Sequence, residues 1–241
     1  MAAVYARPPM PAALHLHPTA PLAERVLLPG DPGRALLLAQ TLLKEPRMFN
    51  HNRGLWGYTG AAADGEPLTI QSHGIGGPSA AVVIEELAML GARRIVRVGT
   101  CGALVDGIAL GDAIVAEGAL TADGTSRALG AGARVAADPG LTGALAAAAE
   151  RAGGAHRGDV LTTDLFYDTR GEHAIPAAEQ AIAIEMEAAT LLQLGTLRGF
   201  RAACVLIVSD QLSGPAPERI DQPALTAAAE RVGRIAAAAV S

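Results

Sequence analysis

The sequence predicts an α/β fold, a single domain with a central mixed, mostly parallel sheet flanked by helices. Two observations support this prediction. Short runs rich in Val and Ile alternate with longer Ala- and Leu-rich stretches whose apolar residues recur at helical spacing. Of all residues 50% are hydrophobic but only 3% are aromatic, and such small side chains suit closely packed layers. Strands that alternate with helices are typical of parallel pairing.

The elements follow in order along the chain. Seven apolar runs predict strands, at Arg25–Leu28, Pro67–Ser72, Arg94–Val98, Asp112–Glu117, Asp159–Thr162, Ala181–Glu185 and Ala202–Val208. Four stretches predict helices, at Ser79–Leu90, Thr142–Ala152, Glu187–Arg198 and Pro223–Ala239. Because ligands of such sheets bind at the carboxyl ends of strands, polar residues at these ends are the candidates for function.

Composition limits the classes of protein that need to be considered. The 241 residues suffice for one core and no long polar stretch divides them, so we expect one domain over 1–241, partly irregular over 1–20. A net charge of -5 with scattered basic residues disfavours nucleic-acid binding. No apolar run approaches the ~20 residues of a membrane span, and no signal peptide is recognisable. Two cysteines are too few for a disulfide framework, which indicates a reducing, cytoplasmic location.

The first candidate segment is Leu28–Arg34, which directly follows a predicted strand. Its glycines allow a turn that presents N–H groups to an anion, and Arg34 is close enough to add a bidentate contact. The Pro-Gly-Asp-Pro sequence within it is also strong turn chemistry in any protein. A plain turn is therefore the alternative to an anion site.

The second segment is Arg97–Ala103, at the end of an apolar strand. Arg97 interrupts an apolar run, where a charge is costly unless it is paired. With the Thr100 hydroxyl and glycine N–H groups nearby, Arg97 could receive an anion, or it could pair with a structural carboxylate. Cys101 has no base that the sequence assigns to it, and a small buried cysteine is the commoner role.

Two further segments carry carboxylates at strand ends. Glu185 and Glu187 flank Met186 and could grip the hydroxyls of a sugar diol, with the thioether against its apolar face. A helix-terminal acid that complements the macrodipole is a reasonable alternative for Glu187 and a poor one for Glu185. Asp210 closes the last strand as either a general acid or an N-cap, and capping is the stronger interpretation of this segment by itself.

In this order and spacing, the four segments resemble the hexameric branch of the purine nucleoside phosphorylase and uridine phosphorylase family. The resemblance spans nearly the whole chain, from about Arg25 to the final helix. Three more segments support it, at Asn52–Gly60, His73–Ser79 and Asp164–Tyr167. Each block is weak by itself, but all of them in collinear order are specific, and they imply a nucleoside phosphorylase-like fold.

The resemblance implies a role for each matching residue. The phosphate-binding positions are Gly30, Arg34, Arg97 and Thr100, with Arg53 reaching the phosphate of a neighbouring subunit. The ribose-binding positions are Glu185, Met186 and Glu187. Phe166 stacks near the base with Ile184 beside it, and Asp210 protonates a purine at N7. His15, preferred over His17, reaches the 5′-hydroxyl of the nucleoside bound to a neighbouring subunit. Arg219 is a candidate to assist Asp210, and the alternative is a solvated arginine at the start of a helix.

The implied activity is reversible phosphorolysis of purine ribonucleosides or deoxyribonucleosides to free base and (deoxy)ribose 1-phosphate. Inorganic phosphate is the co-substrate, with no cofactor and no metal. The implied assembly is a homohexamer, a trimer of dimers with sites shared between subunits. The preference among adenosine, inosine and guanosine stays open.

Four alternatives accompany this expectation. Uridine phosphorylases read uracil with a glutamine–arginine pair, whereas Asp168–His173 holds Arg170 but no glutamine, and Asp210 favours a purine. Phosphorolysis of methylthioadenosine stays open. A nucleoside hydrolase is disfavoured because the phosphate-binding arginines are all present. A non-catalytic binding protein of the same fold is disfavoured because Asp210 and Glu187 are both retained.

Overall fold

The computed structural model describes residues 13–167, 176–214 and 216–241. Eleven strands lie in these ranges: β1 (Arg25–Leu28), β2 (Lys44–Asn50), β3 (Gly57–Ala61), β4 (Pro67–Gln71), β5 (Arg94–Ala103), β6 (Ala113–Thr121), β7 (Arg134–Ala136), β8 (His156–Thr162), β9 (Ala183–Glu185), β10 (Arg201–Gln211) and β11 (Glu218–Arg219). Six α-helices lie there too: α1 (Pro32–Leu42), α2 (Gly77–Met89), α3 (Gly124–Ala128), α4 (Pro139–Arg151), α5 (Ala188–Arg198) and α6 (Gln222–Val240).

The described strands form one mixed sheet. β4, β1, β5 and β10 pair in parallel in that order, and β6, β8 and β9 form a second parallel group. Antiparallel pairing of β10 with β6 and of β9 with β5 closes β5, β10, β6, β8 and β9 into a ring. β2, β3, β7 and β11 are added antiparallel at the margins. The predicted mixed sheet is confirmed, with a larger antiparallel share than expected because of these short additions.

Helices cover both faces of the sheet. One core cluster lies beneath α2 and α5 and includes Val83, Leu87 and Leu191. The other lies beneath α1, α4 and α6 and includes Leu38 and Leu145. Alanines fill much of both clusters, which lets helices approach the strands closely and agrees with the low aromatic content.

The first helix was not predicted from the sequence. The side chain of Asp31 accepts the N–H of Gly33 at 2.7 Å and caps α1, and Pro32 occupies its first turn. The Pro-Gly-Asp-Pro turn is therefore also a helix start. The predicted start of the last helix is confirmed, because the Asp221 side chain accepts the N–H of Ala224 at 2.8 Å.

The described residues test the argument about a membrane span but not the argument about the uracil-binding loop. Within those ranges, no helix is both long enough and apolar enough to cross a lipid bilayer. Arg170 and the 168–173 loop, which served to argue against a uracil site, lie outside the described residues.

Candidate active site

The candidate site forms where four parallel strands end. β4, β1, β5 and β10 share one direction, so their carboxyl ends meet at one edge of the sheet. The loop after β1 carries Gly30, the loop after β4 carries His73, and β10 carries Asp210 near its end. Two backbone bonds tie the first two loops together: the N–H of His73 donates to Pro29 at 3.1 Å, and that of Gly74 donates to Gly30 at 2.9 Å.

Arg97 is the central charge of this edge, and its side chain is only 5% exposed. Its Nε lies 3.1 Å from Glu185, its Nη2 lies 2.5 Å from Glu187, and its Nη1 lies 3.0 Å from Nε2 of His73. Burial by itself would lower the pKa of Arg97, but the charges of Glu187 and Glu185 raise it above its usual value. These contacts occupy three of the five guanidinium N–H groups. Within the described chain, two N–H groups remain for another acceptor.

Gly99 makes room for this guanidinium. A Cβ at Gly99 would lie 2.6 Å from Cζ of Arg97 and 2.7 Å from its Nη2. Residues two apart on a strand share a face, so the Arg97 side chain folds back over Gly99. Any larger residue at this position would displace the charged group.

Glu185 is a fully buried acceptor, with a side chain that is 0% exposed. It accepts the Thr162 hydroxyl at 2.5 Å and the N–H groups of Glu187 and Ala188 at 2.8 and 2.9 Å, besides holding Arg97. It is therefore the acid at the start of α5. The expectation that a helix-terminal role is a poor one for Glu185 was wrong, whereas Glu187 does stand at the N-cap position of α5 but makes no side-chain capping bond. This arrangement also gives Glu185 no exposed face towards a ribose.

Glu187 turns its carboxylate towards Arg97 and away from its own helix. It also accepts the N–H of Gly76 at 2.5 Å, so it joins the loop before α2 to the arginine. Burial raises the pKa of Glu187, and the charge of Glu185 raises it further, whereas Arg97 acts in the opposite direction. Met186, between the two acids, is half-buried.

His73 is the site residue that the sequence analysis overlooked, although it directly follows a strand end, as Gly30 does. It is fully buried, and burial followed by the positive charges of Arg97 and Arg34 holds its pKa well below 6.5. The imidazole is therefore neutral. A Cβ at Gly30 would lie 3.5 Å from its Cε1 and 2.9 Å from the carbonyl oxygen of Gly74, so only glycine allows this approach.

Arg34 adds a second cation to the same region. Burial lowers the pKa of Arg34, and the charge of Arg97 lowers it further while Asp31 raises it. The charges of Arg97 and Arg34 both act on His73, whose ring packs against Gly30, so two cations lie close to this loop. Two guanidinium groups beside a glycine turn are donors of the kind that can bind an anion.

Asp210 lies at the other end of the site. β10 continues past it to Gln211, and β11 then pairs Arg219 opposite Asp210. The Arg219 Nε lies 3.7 Å from the Asp210 carboxylate, which also accepts the Ser209 hydroxyl at 2.7 Å. The capping interpretation of Asp210 was wrong, because a strand and not a helix follows it. Arg219 likewise lies in a strand, since α6 begins at Gln222.

Apolar side chains stand beside Asp210. A Cβ at Gly102, the cross-strand neighbour of Asp210, would lie 2.5 Å from Leu212 and 3.4 Å from Ile184, so glycine lets both side chains cover this strand. Phe166 is 57% exposed and meets only the edge of the Tyr167 ring among the described aromatic residues, at 4.9 Å between centroids. This end of the site is open.

His15 and Arg53 are brought to neighbouring positions by a bond from Asn52. The His15 Nδ1 lies 2.7 Å from the buried Glu86, which also accepts the N–H groups of residues 14–16 at 2.7 to 3.0 Å. Asn52 donates to the carbonyl oxygen of His15 at 2.9 Å, which brings the neighbouring Arg53 to the same surface. Arg53 is exposed with a left-handed φ of 58°.

Three other candidates lie apart from these contacts. The ring of His17 approaches the carbonyl oxygen of Leu14 at 3.2 Å instead of Glu86. Thr100 alternates with Arg97 along β5 and starts from the opposite face of the strand. The Cys101 thiol is buried 3.6 Å from a carbonyl oxygen, and burial raises its pKa far above its usual value, which agrees with a structural cysteine.

Known proteins share both the sequence and the fold. Residues 24–241 match the family model described as the Phosphorylase superfamily. A DeoD-type purine nucleoside phosphorylase of Oceanobacillus iheyensis is 36% identical over 197 residues, which cover 79% of this chain and 83% of the relative. A uridine phosphorylase of Thermococcus kodakarensis is 39% identical over 206 residues, covering 78% and 73%. The crystal structure of a Toxoplasma gondii purine nucleoside phosphorylase with immucillin-H superposes with a TM-score of 0.81 at 29% identity over 91% of each chain.

Proposed function

This chain belongs to the phosphorylase superfamily, and we propose that it catalyses the reversible phosphorolysis of purine nucleosides with inorganic phosphate as co-substrate. One observation carries the proposal. Arg97 bonds Glu187 through Nη2 and His73 through Nη1, the His73 ring packs against Gly30, and among the described residues two N–H groups of Arg97 have no acceptor. A single guanidinium thus stands between a carboxylate suited to a diol and a loop suited to phosphate.

The arginines bind and orient the nucleophile. A phosphate dianion held by Arg34, Arg97 and the backbone at Gly30 can place one oxygen against the anomeric carbon. This oxygen forms the new C–O bond as the glycosidic C–N bond breaks, and the bonding electrons leave with the base. Its charge also stabilises the positive charge that develops on the ribose.

Glu187 is proposed to accept hydrogen bonds from the 2′- and 3′-hydroxyls, with Met186 against the sugar. We assign Glu185 a different part from the one that the resemblance implies. With no exposed surface, it positions Arg97 and the start of α5, and it does not touch the ribose. Thr100 stays a proposed phosphate contact on the resemblance alone.

Asp210 is proposed as the general acid. The departing purine gathers negative charge, and a proton from Asp210 to N7 neutralises it. Arg219 at 3.7 Å can stabilise the carboxylate that remains after the transfer. Ile184, Leu212 and Phe166 supply the apolar surroundings for the base.

The choice of a purine depends on Asp210, because the relatives include purine nucleoside and uridine phosphorylases at similar identity. The deciding experiment incubates the protein with inosine, adenosine and uridine, with and without phosphate, and measures free base and ribose 1-phosphate. Phosphate-dependent release of hypoxanthine or adenine supports the proposal. Release without phosphate would instead indicate a hydrolase, and uridine as the best substrate would remove the purine assignment.

We also propose that the enzyme works in the cytoplasm as a homohexamer, a trimer of dimers in which His15 and Arg53 complete a neighbour's site. Both residues sit on one exposed surface, with the exposed apolar side chains of Leu14 and Trp56 beside them. Glu86 holds the His15 segment there with four bonds from residues 14–16, so this surface is preformed. The two cysteines, Cys101 and Cys204, are free and buried, which suits a reducing compartment.

Site sharing predicts complementation. Arg53→Ala subunits and Asp210→Asn subunits should each be poorly active but regain activity when refolded together. In each mixed pair, one of the two sites then combines an intact Asp210 with an intact neighbouring Arg53. Activity should be followed against the fraction of mixed assemblies seen by native mass spectrometry. No recovery in confirmed mixed assemblies would contradict the sharing of sites.

A further inference from the structure

We propose that His73 is a positioning residue of the phosphate site, which keeps Arg97 turned so that its free N–H groups face the anion. This inference rests on the proposed phosphorolysis and adds a residue to it. His73 would contact Arg97, and it would not need to touch the nucleoside.

The direction of the hydrogen bond supports this role. A guanidinium can only donate, so the Nε2 of His73 at 3.0 Å must be the acceptor and the proton must be on Nδ1. Arg97 and Arg34 are the cations that face the imidazole, and they favour its neutral form. The carboxylates of Glu185 and Glu187 bind the other side of Arg97. Only the neutral ring can make this bond.

Three acceptors on three nitrogens fix the rotation of the guanidinium. Glu185 holds Nε, Glu187 holds Nη2, and His73 holds Nη1. Without His73, the two carboxylate contacts on Nε and Nη2 remain, and the rigid plane of the guanidinium can tilt about the line that joins them. The two free N–H groups would then tilt away from the anion together, and the bidentate contact with phosphate would be weakened.

His73 is also fixed to the loop that would hold the anion. Its N–H donates to Pro29, its carbonyl oxygen accepts the Ser79 hydroxyl at 2.5 Å, and its ring packs against Gly30. The imidazole therefore links the loop after β1 to Arg97, because it contacts both. The distance between the backbone at Gly30 and the guanidinium of Arg97 is therefore fixed by His73.

Packing alone does not explain a histidine at this place. Nδ1 is buried and has no hydrogen-bond partner among the described residues. A buried polar group without a partner is costly, so an apolar side chain of similar size would be the better filler. The bond to Arg97 is the gain that offsets this cost.

The test compares three substitutions at His73 by the Kd of inorganic phosphate from calorimetry and by steady-state phosphorolysis with both substrates varied. His73→Gln can place an amide oxygen near the Nε2 position, His73→Asn is too short to do so, and His73→Leu has no acceptor. We expect Leu and Asn to raise the Kd and KM of phosphate about 10- to 100-fold, as for a lost bond to a charged group. Gln should stay within about threefold of wild type, and the KM of the nucleoside should change little in all three.

His156→Leu is the matched control, because this half-exposed histidine bonds Asp112 at 2.9 Å away from the site. It should leave both constants unchanged. If His73→Leu does not fold, the contrast between Gln and Asn decides the question. Equal effects of Gln and Asn, or equal losses for phosphate and nucleoside, would overturn the proposal and leave a packing role. Absence of phosphate-dependent cleavage in the wild type would instead reject the proposed function, whatever the variants do.

Discussion

The two ends of the candidate site differ in how deeply their charged side chains are buried and in how many contacts these side chains make within the chain. At one end, Arg97 and Glu185 are almost wholly buried, and every one of their contacts is made inside the chain. At the other, the Asp210 side chain is 21% exposed and its partner Arg219 is 68% exposed. Phe166, which only the resemblance assigns to this end, is 57% exposed. The first end is buried and charged, and the second is exposed.

This difference follows from the cost of burial. A buried cation must find acceptors in the free protein, so the network around Arg97 has to exist before any ligand arrives. An exposed acid is solvated and needs no such support. Fixed donors beside a developing charge need no reorganisation during the reaction, which suits the phosphate end. The end proposed to hold the base has no comparable buried network.

The largest effect is expected from Arg97→Met. It removes the anion contact and leaves Glu185 and Glu187 buried without their counter-charge, which typically costs about 3–5 kcal/mol of stability. Phosphorolysis should fall at least about a thousandfold, as for other lost electrostatic contacts to a reacting group. Both quantities are measurable, by denaturant unfolding and by phosphate-dependent base release.

The control for Arg97 is Arg94→Met, a half-buried arginine at the start of the same strand. It should keep its activity. If Arg97→Met unfolds no more easily than Arg94→Met, the buried end is less dependent on its arginine than the contacts indicate.

Asp210→Asn comes next and should separate the two ends. The general-acid role predicts a loss of about 10²- to 10⁴-fold in turnover of adenosine. Phosphate binding and thermal stability should stay near wild type, because Asp210 is partly exposed and bonds Ser209 and Arg219, not the residues that hold Arg97. Asp106→Asn, an exposed acid bonded to Ser213, is the matched variant. Unchanged adenosine turnover in Asp210→Asn would exclude its acid role.

Acidification should weaken the buried end through His73. Its pKa is about 6.5 in the unfolded chain and well below that when folded, so below pH 6.5 the unfolded state binds the extra proton. Stability from this group is therefore present above pH 6.5 and is lost as pH falls, by about 1.4 kcal/mol per unit. Glu187 acts the opposite way, because its raised pKa makes the folded state bind a proton more readily.

The contribution of His73 to this pH dependence is isolated by comparing the unfolding free energies of wild type and His73→Gln. Between pH 6.5 and pH 5.5, in buffer without phosphate and at one protein concentration, the unfolding free energy should fall more in wild type by about 1 kcal/mol. Equal pH dependence in both proteins would mean that His73 is charged, or exposed, in the folded state.

The smallest effect is expected from Phe166→Ala. Aromatic stacking adds about 0.5–1.5 kcal/mol, so the KM of the nucleoside should rise about two- to tenfold. The melting temperature should not change, because the ring is mostly exposed. The control is Leu197→Ala, which removes an exposed apolar side chain from α5. It should change neither the KM of the nucleoside nor the melting temperature. A large loss of stability in Phe166→Ala would show that the open end is packed.

Much of the fold followed from local pattern. All seven strands and four helices expected from the sequence are present, because alternation of Val/Ile runs with Ala/Leu helices is a local property. The expected elements ended too early at β5 and β10, whose last residues, such as Ala103 and Gln211, are less apolar. α1 was missed because its start was interpreted only as a turn. The closing of the sheet into a ring depends on pairings far apart in sequence.

The sequence by itself determined which residue types stand at the strand ends, since a charge such as Arg97 within an apolar run is visible without a structure. It could not determine which acceptor each charge takes. Only the tertiary structure decided that Glu185 accepts the N–H groups at the start of α5 and that Glu187 holds Arg97. It also decided that Arg219 on β11 pairs opposite Asp210 on β10, and that His73 completes the cluster. The physical reason is that a hydrogen bond depends on distance and direction within about an ångström. Strand register and chain packing set those quantities, and composition does not.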